Sequence, residues 1–362
     1  MTNDRRPNRY PFPIPSGWFA VAESPDLEVG QVRAAYYFAT HLVLWRDTTG
    51  EAHVQDAFCP HLGAHLGHGG TVEGCEIACP FHGWRFDTEG ANTDIPYSDR
   101  TNKRARIHTY AVRERNGFVY AWCHPHDDPP TWEVEEVAET TSGEFSGPRR
   151  THHTVQAGIQ EMAENAVDSA HFRFVHNTAT VPEIERYEAD GHRAIMESSQ
   201  KFPTPRGVVD GRIDSTADGP GVSIVRFSGI VDTLLVSAST PVDAETTETR
   251  FNYYVRNLGD DATNSTVGEA FAAEVDRQFT EDMPIWEHKA HLVRPALADN
   301  DGPFMKFRKW YAQFYVEPIS DDRTVYPPPF WPDRLDETPQ KATASARHGT
   351  GPEPPETGAT PN

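Results

Sequence analysis

The feature that most constrains this chain is the stretch CPHLGAHLGHGGTVEGCEIACPFHGW, which holds three of its four cysteines. Within it, Cys59-x-His61 and Cys79-x-x-His82 each pair one thiolate donor with one imidazole donor, and seventeen residues separate the pairs. A glycine follows each pair, and glycine lets backbone amides come close to a sulfur atom. The stretch therefore predicts two loops that fold around a metal.

The identity of that metal depends on how the four donors are spaced. Two cysteines and two histidines suit tetrahedral zinc, but zinc fingers usually open with two cysteines two to four residues apart. A mixed pair in each half is what a two-iron cluster needs when one iron takes both sulfurs and the other both imidazoles. The stretch, including CPFHGW, resembles the Rieske signature, which implies that Cys59, His61, Cys79 and His82 hold a [2Fe-2S] cluster. Zinc is the competing interpretation.

The other donors of the stretch fall outside this pattern. We expect Cys75 to be an ordinary, partly buried thiol, and Cys123, in FVYAWC, to be a core residue. His65 and His68 lie off the ligand spacing. Trp84 is expected to pack over the cluster and to limit the access of water.

Local patterns predict an α+β protein. Before residue 130, short runs rich in β-branched and aromatic residues predict strands (32–39, 41–47 and 52–58), and Asn116-Gly117 predicts a hairpin. The polar, proline-rich stretch HPHDDPPT suggests a boundary. Beyond it, a helical stretch over 158–175 and further strands precede a helical period over 268–291, where Pro284 kinks the helix or starts a second segment.

Length and composition bound the domains and the partners. A chain of 362 residues favours two domains, and a formal charge of −21 disfavours nucleic acid and anionic membranes as partners. With no membrane span, no signal peptide and too few cysteines for a disulfide framework, we expect a soluble cytoplasmic protein. We predict an N-terminal arm (1–17), a small all-β cluster domain (18–130), a larger domain (131–332) and a disordered tail (333–362).

A second metal site is suggested by GIQEMAENAVDSAHFRFVHN. Asp168 and His171 are three residues apart, so they share a helix face. His176 is five residues beyond His171, about 140° around an ideal helix, so both imidazoles reach one metal only if the helix ends or distorts between them. Two histidines and a carboxylate with open positions form the facial triad of non-haem iron(II) oxygenases. Alone, this spacing is a weak signal.

From about Trp18 to Tyr315 the chain resembles the oxygenase component of a Rieske non-haem iron oxygenase. The resemblance implies a Rieske domain followed by a catalytic domain with an antiparallel sheet flanked by helices, of helix-grip type. It also implies that His171 and His176 bind a mononuclear Fe(II). We assign the third ligand to Asp282 in GEAFAAEVDRQFTEDMPIWEHK, and we expect its rivals, Asp276 and Glu281, to lie on a solvated helix face.

The same resemblance gives Asp168 and Asn165 roles beside the iron. In the family, the aspartate bridges His171 and a cluster histidine of a neighbouring subunit, here His82 or His61, which implies a homotrimer. Asn165 is either a group near the iron or a structural helix residue.

Three segments, NAVDSAHFRFVH, QFTEDMPIW and KWYAQFY, resemble steroid ring hydroxylases of the 3-ketosteroid 9α-hydroxylase type. KWYAQFY otherwise suits an aromatic core strand or helix face. The implied activity is hydroxylation of a hydrophobic, steroid-like substrate with O2. Dihydroxylation, demethylation or desaturation of a smaller aromatic or other substrate is an alternative, and so is a Rieske electron carrier without oxygenase activity. Without a nucleotide-binding glycine motif, the chain needs a separate ferredoxin or flavin reductase as electron donor.

Overall fold

The structure, a computed structural model, describes residues 9–204 and 207–316. Its strands are β1 Gly17–Glu23, β2 Val32–Tyr37, β3 Thr40–Arg46, β4 Ala52–Asp56, β5 Thr71–Glu73, β6 Glu76–Ala78, β7 Arg85–Phe86, β8 Asn92–Asp94, β9 Val112–Arg115, β10 Phe118–Cys123, β11 Phe145–Val155, β12 Glu183–Asp190, β13 Arg193–Thr204, β14 Gly207–Asp218, β15 Val222–Ser228, β16 Thr233–Pro241 and β17 Thr247–Arg256. Its α-helices are α1 Ile159–Ala163, α2 Ala170–Phe174, α3 Asp261–His288 and α4 Phe304–Tyr311, and 3-10 turns span Ser24–Asp26, Ala138–Thr140, Glu164–Val167 and Ala312–Phe314.

Three small antiparallel sheets form the first part of the molecule. Their strand orders are β1-β10-β9, β2-β3-β4 and β5-β6-β7-β8. The three runs predicted as strands are observed as β2, β3 and β4. Asn116 and Gly117 join β9 to β10 with φ angles of 53° and 85°, the left-handed pair that a two-residue hairpin turn requires.

A seven-stranded antiparallel sheet, in the order β11-β17-β16-β15-β14-β13-β12, forms the second part. Side chains alternate between its faces. Val222 and Ile224 pack with Trp18 and Tyr120 of the first part in one core, whereas Leu235 and its neighbours face α3 in another. The large sheet is thus covered on both faces, and the β1-β10-β9 sheet is held against it. These observations confirm the predicted α+β architecture.

The long helix α3 differs from its prediction in extent. It begins at Asp261, seven residues earlier than the periodicity indicated, because Asp260 accepts a hydrogen bond from the Thr263 backbone N–H at 2.8 Å and caps the helix. The helix is continuous through Pro284, so no second segment starts there. Asp282 and Trp286 lie one turn apart and are both buried, which places the carboxylate on the core side of α3.

The helix predicted over 158–175 is broken in the structure. α1 passes into a 3-10 turn, Asp168 is extended (φ −97°, ψ 92°), and α2 starts two residues later. The spacing suggested that Asp168 and His171 share one helix, but Asp168 lies outside α2 in the structure. Its Oδ1 instead accepts the His171 backbone N–H at 3.3 Å, a bond that replaces helical hydrogen bonding at this break.

The aromatic segment KWYAQFY is a helix face and not a strand. It forms the end of α4 and the 3-10 turn that follows, with Trp310, Tyr311 and Phe314 buried together. The predicted tail, 333–362, lies outside the described residues. Among the residues that are described, no helix is both long enough and apolar enough to cross a membrane.

Candidate metal centres

The two cysteine loops, 59–64 and 79–84, have the same backbone geometry. In each, the cysteine amide donates to the carbonyl five residues on, and the glycine amide donates back to the cysteine carbonyl. Both glycines adopt left-handed φ angles, +78° and +73°, which only glycine adopts without strain. The four hydrogen bonds are Cys59 N to Ala64 O (2.9 Å), Gly63 N to Cys59 O (2.9 Å), Cys79 N to Trp84 O (2.8 Å) and Gly83 N to Cys79 O (3.0 Å).

The four sequence-predicted donors converge at these loops. Cys59 and Cys79 are 2% and 4% exposed, and the rings of His61 and His82 lie 4.8 Å apart. His82 Nδ1 is buried and has no hydrogen-bond partner among the described residues. Burial raises the pKa of the Cys59 thiol to about 11, and Cys79 adds to the shift, so a thiolate here requires a bound cation. An orphaned imidazole nitrogen beside two buried sulfurs fits a metal cluster.

The residues around the loops largely follow the sequence analysis. The Trp84 ring stacks on His61 at 4.4 Å, and its Nε1–H donates to the Tyr97 hydroxyl at 2.8 Å. Cys123 is partly buried against a core cluster. Cys75 was expected to be partly buried, but it is exposed, because it occupies the turn between β5 and β6.

The left-handed glycine of the second loop, Gly83, gives a prediction about the stability of the protein. A Cβ on Gly83 would lie 2.9 Å from Pro96 Cγ, whereas a Cβ on Gly74 (φ +67°) would meet nothing within 4 Å. We expect Gly74→Ala to destabilise the protein by about 1 kcal/mol through backbone strain alone, and Gly83→Ala by about 2–4 kcal/mol because the clash adds to the strain. Thermal unfolding of the two variants measures the difference; equal losses would contradict the role of Pro96.

The second centre lies where the broken helix faces α3. His171, His176 and Asp282 each offer a ligand atom, and these atoms all lie within 4.8 Å of one another. α2 ends at Phe174, as the spacing required, so the chain turns back and brings the two imidazoles together with ring centroids 5.1 Å apart. His176 and Asp282 are each 6% exposed. Two nitrogens and one carboxylate facing a common point fit a divalent metal of the non-haem iron type.

Hydrogen bonds orient His171 towards that point. Its Nδ1 lies against the Asp168 carbonyl, which can only accept, so Nδ1 carries the proton and Nε2 presents its lone pair. The Asn165 amide group donates to His171 Nε2 at 3.2 Å and to Asp282 Oδ2 at 3.0 Å. Asn165 therefore contacts two members of the triad, which fits a group near the metal better than a purely structural residue.

Asp168 presents a carboxylate at the edge of this centre. Burial raises the pKa of Asp168, but hydrogen bonds from His171 and from the Ala170 backbone N–H outweigh burial and bring that pKa below its usual value. The side chain is one-third exposed and lines the cavity described below. An ionised and accessible carboxylate beside this histidine can accept a further hydrogen bond.

Sequence reasoning missed a role for Glu281. His176 lies between two consecutive residues of α3, with Nδ1 3.0 Å from Glu281 Oε2 and Nε2 3.4 Å from Asp282 Oδ1. Burial lowers the pKa of His176, but hydrogen bonds to Asp282 and Glu281 outweigh it and raise that pKa. Asp276 is also engaged, with Oδ1 2.6 Å from His153 Nε2. Glu281 and Asp276 therefore do not lie on a purely solvated helix face, as the sequence analysis expected. The spacing of residues within the helix carried no signal of these contacts.

The Glu281 contact predicts an effect on iron retention. A carboxylate that accepts a hydrogen bond from His176 Nδ1 fixes the ring and makes Nε2 a stronger metal ligand. Glu281→Gln should therefore weaken Fe(II) binding about 10- to 100-fold. Glu274→Gln is the matched control, because Glu274 shares Arg277 with Glu281 and makes no hydrogen bond to His176. Competition with an Fe(II) chelator measures both affinities. Equal affinities for the two variants would show that Glu281 does not position His176.

A cavity of about 270 Å³ adjoins the second centre. Its wall next to the centre contains Asn165 and Phe172, and the sheet supplies the opposite wall. That wall is mostly apolar but carries several hydroxyl groups, and Ser223 on β15 lies directly opposite Ser237 on β16. The sheet side chains that line the cavity are Ile184, Met196, Ser198, Ile213, Ser215, Ala217, Ser223, Val225, Phe227, Leu235, Ser237, Ser239, Thr249 and Phe251.

A buried ionic network supports α1 from behind. Glu161 lies 2.5 Å from His291 Nδ1 and 2.7 Å from Lys289 Nζ, and Arg308 forks onto Glu164 at 2.7 and 2.8 Å. Burial raises the pKa of Glu161, but these partners outweigh it and lower that pKa to about 2. Because both carboxylates are matched by cations, this network joins α1 to the segments after α3 and needs no metal.

Comparisons with protein families match the chain in two parts. The Rieske [2Fe-2S] domain matches residues 17–111, and the 3-ketosteroid 9alpha-hydroxylase C-terminal domain matches residues 121–315. The first match contains both cysteine loops, and the second contains the triad, Asn165 and Asp168.

Individual relatives are oxygenases and desaturases. The chain is 31% identical to a 3-ketosteroid-9-alpha-monooxygenase oxygenase component of Rhodococcus rhodochrous over 88% of this chain and 89% of that protein. It is 32% identical to cholesterol 7-desaturase nvd of Bombyx mori over 86% of this chain and 72% of that protein.

Solved structures share the fold. The structure of a Pseudomonas putida CBB5 NdmA mutant with theobromine matches with a TM-score of 0.66 at 22% identity, over 84% of this chain and 89% of that one. Apo dicamba monooxygenase matches with a TM-score of 0.65 at 18% identity, over 83% and 97%. Together with the family matches and the relatives above, these likenesses show that the chain belongs to the Rieske non-haem iron oxygenases, as an oxygenase component related to the 3-ketosteroid 9α-monooxygenases.

Proposed function

We propose that this oxygenase hydroxylates an unactivated C–H bond of a steroid-like substrate, with electrons from a separate reductase. The observation that carries the proposal is the mostly apolar cavity next to the triad of His171, His176 and Asp282. A rigid polycycle fits such a cavity because apolar walls bind its rings, while scattered hydroxyls can accept or donate to oxygen substituents. Relatives named for 3-ketosteroids and cholesterol support the substrate class.

The ligand sets follow from the two centres. Cys59, His61, Cys79 and His82 would hold the [2Fe-2S] cluster, and the triad would hold Fe(II). When bound, these groups supply single electrons and O2 activation respectively. We further propose that the division at residues 130 and 131 separates the cluster domain from the catalytic domain.

The chain's own contribution is orientation and exclusion of water. Asp168 and Glu281 fix the rings of His171 and His176, and Asn165 holds the Asp282 carboxylate by donating to Oδ2. Phe172 and the sheet wall keep the substrate in an apolar environment beside the centre. Correct placement of the C–H bond is worth several orders of magnitude in rate, and it depends on these side chains.

We propose a homotrimer in which each cluster serves the iron of a neighbouring subunit. Exposed apolar side chains support this arrangement at both ends of such a contact. Leu62 and Phe81 (60% exposed) lie within the two cysteine loops. Phe174 (78% exposed) ends α2, and Val181 precedes Pro182, which lines the cavity. Large exposed side chains of this kind mark interfaces, and two different patches that meet head-to-tail close into a ring. Asp168 would then accept from His82 or His61 of the next subunit.

Desaturation is a second candidate reaction. It is favoured by the similarity to the cholesterol 7-desaturase of Bombyx mori. The chain is 32% identical in sequence to that desaturase and 31% identical to the monooxygenase component. Both reactions begin with the same requirement, a C–H bond held beside the centre, so the cavity does not distinguish them.

Product analysis under 18O2 tests the proposal. The purified oxygenase, supplied with a surrogate reductase and NADH, is incubated with ketosteroids, sterols, other terpenoids and small aromatics. Hydroxylation gives a product that carries one labelled oxygen, whereas desaturation gives a product that lacks two hydrogens and carries no label. Turnover of small aromatics alone would overturn the steroid-like assignment.

A further inference from the structure

The segment from Ser98 to Ile107 is a local exception to the charge of the chain. The whole protein carries a formal charge of −21, yet this segment contains Arg100, Lys103, Arg104 and Arg106 against a single acidic residue, Asp99. All four cationic residues are exposed. Within the described residues none of them forms an ion pair, and Arg106 donates only to a backbone carbonyl.

The segment is held in place by its own hydrogen bonds. The Asn102 amide nitrogen donates to Asn92 Oδ1 at 2.8 Å, and the Ile107 amide donates to the Gly90 carbonyl at 2.8 Å. Ala105 and Ile107 are buried in the core beneath the cluster loops. The cationic side chains therefore project from a fixed backbone, and their arrangement is set before any partner arrives.

This basic segment forms one wall of an open groove that reaches the cluster site. The groove, called here the basic groove, is lined by His61, Trp84, Ile95, Tyr97, Ser98, Arg100, Thr101, Asn102, Lys103 and Arg104. His61 is one of these lining residues, and Trp84 is stacked against it. His82 does not line the groove, so one cluster histidine faces it and the other is left for a neighbouring subunit.

We propose that the basic groove is the docking surface for an electron-donor protein whose contact face is acidic. This inference rests on the proposed function, because it assumes a separate donor and a cluster held by His61. The donor is a ferredoxin or a reductase domain that gives up one electron, and the [2Fe-2S] cluster gains that electron. Unpaired cations attract an acidic face over the Debye length and orient it, which raises the association rate.

The alternative occupant is the acidic surface of a second copy of this chain. The groove favours the donor, because cationic side chains and the proposed cluster ligand His61 line it together. The exposed apolar side chains that suit a permanent contact, Leu62 and Phe81, are not among its lining residues. Transient electron-transfer contacts are small and electrostatic, whereas permanent subunit contacts are larger and more apolar.

Charge reversal tests the docking surface. The probe is a plant-type [2Fe-2S] ferredoxin, a small acidic electron carrier, and its binding to cluster-loaded oxygenase is followed by surface plasmon resonance. The triple variant R100E/K103E/R104E should weaken binding by at least about tenfold at low ionic strength, with the difference shrinking as salt rises. The control R115E/R294E/K306E changes the total charge equally at three exposed cations outside the groove and should bind as the unmodified protein does.

Three results would overturn the proposal. The first is equal binding of ferredoxin to the groove variant and to the unmodified protein, and the second is an equal loss of binding in the control variant. The third is dissociation of the oligomer in the groove variant alone, measured by native mass spectrometry, which would assign the groove to a second copy. The proposed function is checked separately by single turnover of unmodified enzyme reduced with photoreduced deazaflavin, which needs no docking. Product in that assay with unchanged ferredoxin binding rejects the groove and leaves the function intact.

Discussion

Asp168→Ala is expected to retain both metals and to lose at least about a hundredfold in turnover. The Asp168 carboxylate makes no direct contact with the point where the triad ligands meet, and its carbonyl, which any residue supplies, holds the His171 ring. Removing the side chain deletes the 3.3 Å bond from the His171 backbone N–H but keeps the carbonyl that holds the ring, so we expect the triad to stay in place while the proposed bridge to the neighbouring cluster is lost. Iron analysis and the cluster spectrum measure metal content, and reductase-driven turnover measures the loss.

A mixed oligomer separates bridging from a local effect of Asp168. Asp168→Ala subunits keep a cluster, and Cys59→Ser/Cys79→Ser subunits lack one but keep Asp168. An oligomer of either variant alone should convert almost no substrate. Co-assembled subunits should recover part of the activity, because the cluster of one subunit type faces the intact Asp168 of the other. Absence of recovery in verified mixed oligomers would contradict transfer between subunits. Asp232→Ala, which removes an exposed ion pair with Arg256, is the control for a surface aspartate.

Asp282→Ala is expected to lower iron content from about three atoms per chain to about two and to abolish turnover. Asp282 is the buried carboxylate of α3, and its removal leaves two imidazoles, which bind Fe(II) weakly without a charged oxygen ligand. The spectrum of the Rieske cluster should be unchanged, because the two cysteine loops follow β4 and β6 in the first part of the molecule and are not part of α3. Metal analysis together with the electron paramagnetic resonance spectrum after reduction distinguishes the two losses.

Asp276→Ala is the matched control for Asp282→Ala. Both residues lie on α3, but Asp276 pairs with His153 and lies outside the group of converging ligand atoms. This variant should keep about three irons per chain. A loss of iron in Asp276→Ala with retention in Asp282→Ala would reverse the assignment of the third ligand.

The geometry of the two cysteine loops could be predicted from the sequence because their information is local. Each loop needs a cysteine, a histidine and a left-handed glycine within five residues, and those requirements appear directly as letters. The hairpin at Asn116 and Gly117 is local in the same way. The limits of the helices were harder to predict. The first residues of α3 were missed because its start is set by the cap at Asp260, and a cap leaves no trace in the apolar periodicity.

The catalytic centre could be predicted only in part. The need for a helix end between His171 and His176 followed from helix geometry. The break at Asp168 did not, because the spacing of Asp168 and His171 also fits a continuous helix. The contacts of Glu281 and Asp276 were also missed. They link α3 to residues more than a hundred positions away in sequence, so no spacing within the helix could indicate them.

The sequence by itself determined the chemistry of the candidate donors, because residue type and short spacing are properties of the chain. These donors are two mixed cysteine–histidine pairs and a histidine pair with a distant carboxylate. Only the tertiary structure decided which carboxylate of α3 turns inward, which hydroxyls face the cavity and which cations remain unpaired beside His61. Those properties depend on how the seven-stranded sheet, α3 and the cluster loops pack against one another. Packing is set by contacts between distant residues, and one sequence does not display those contacts.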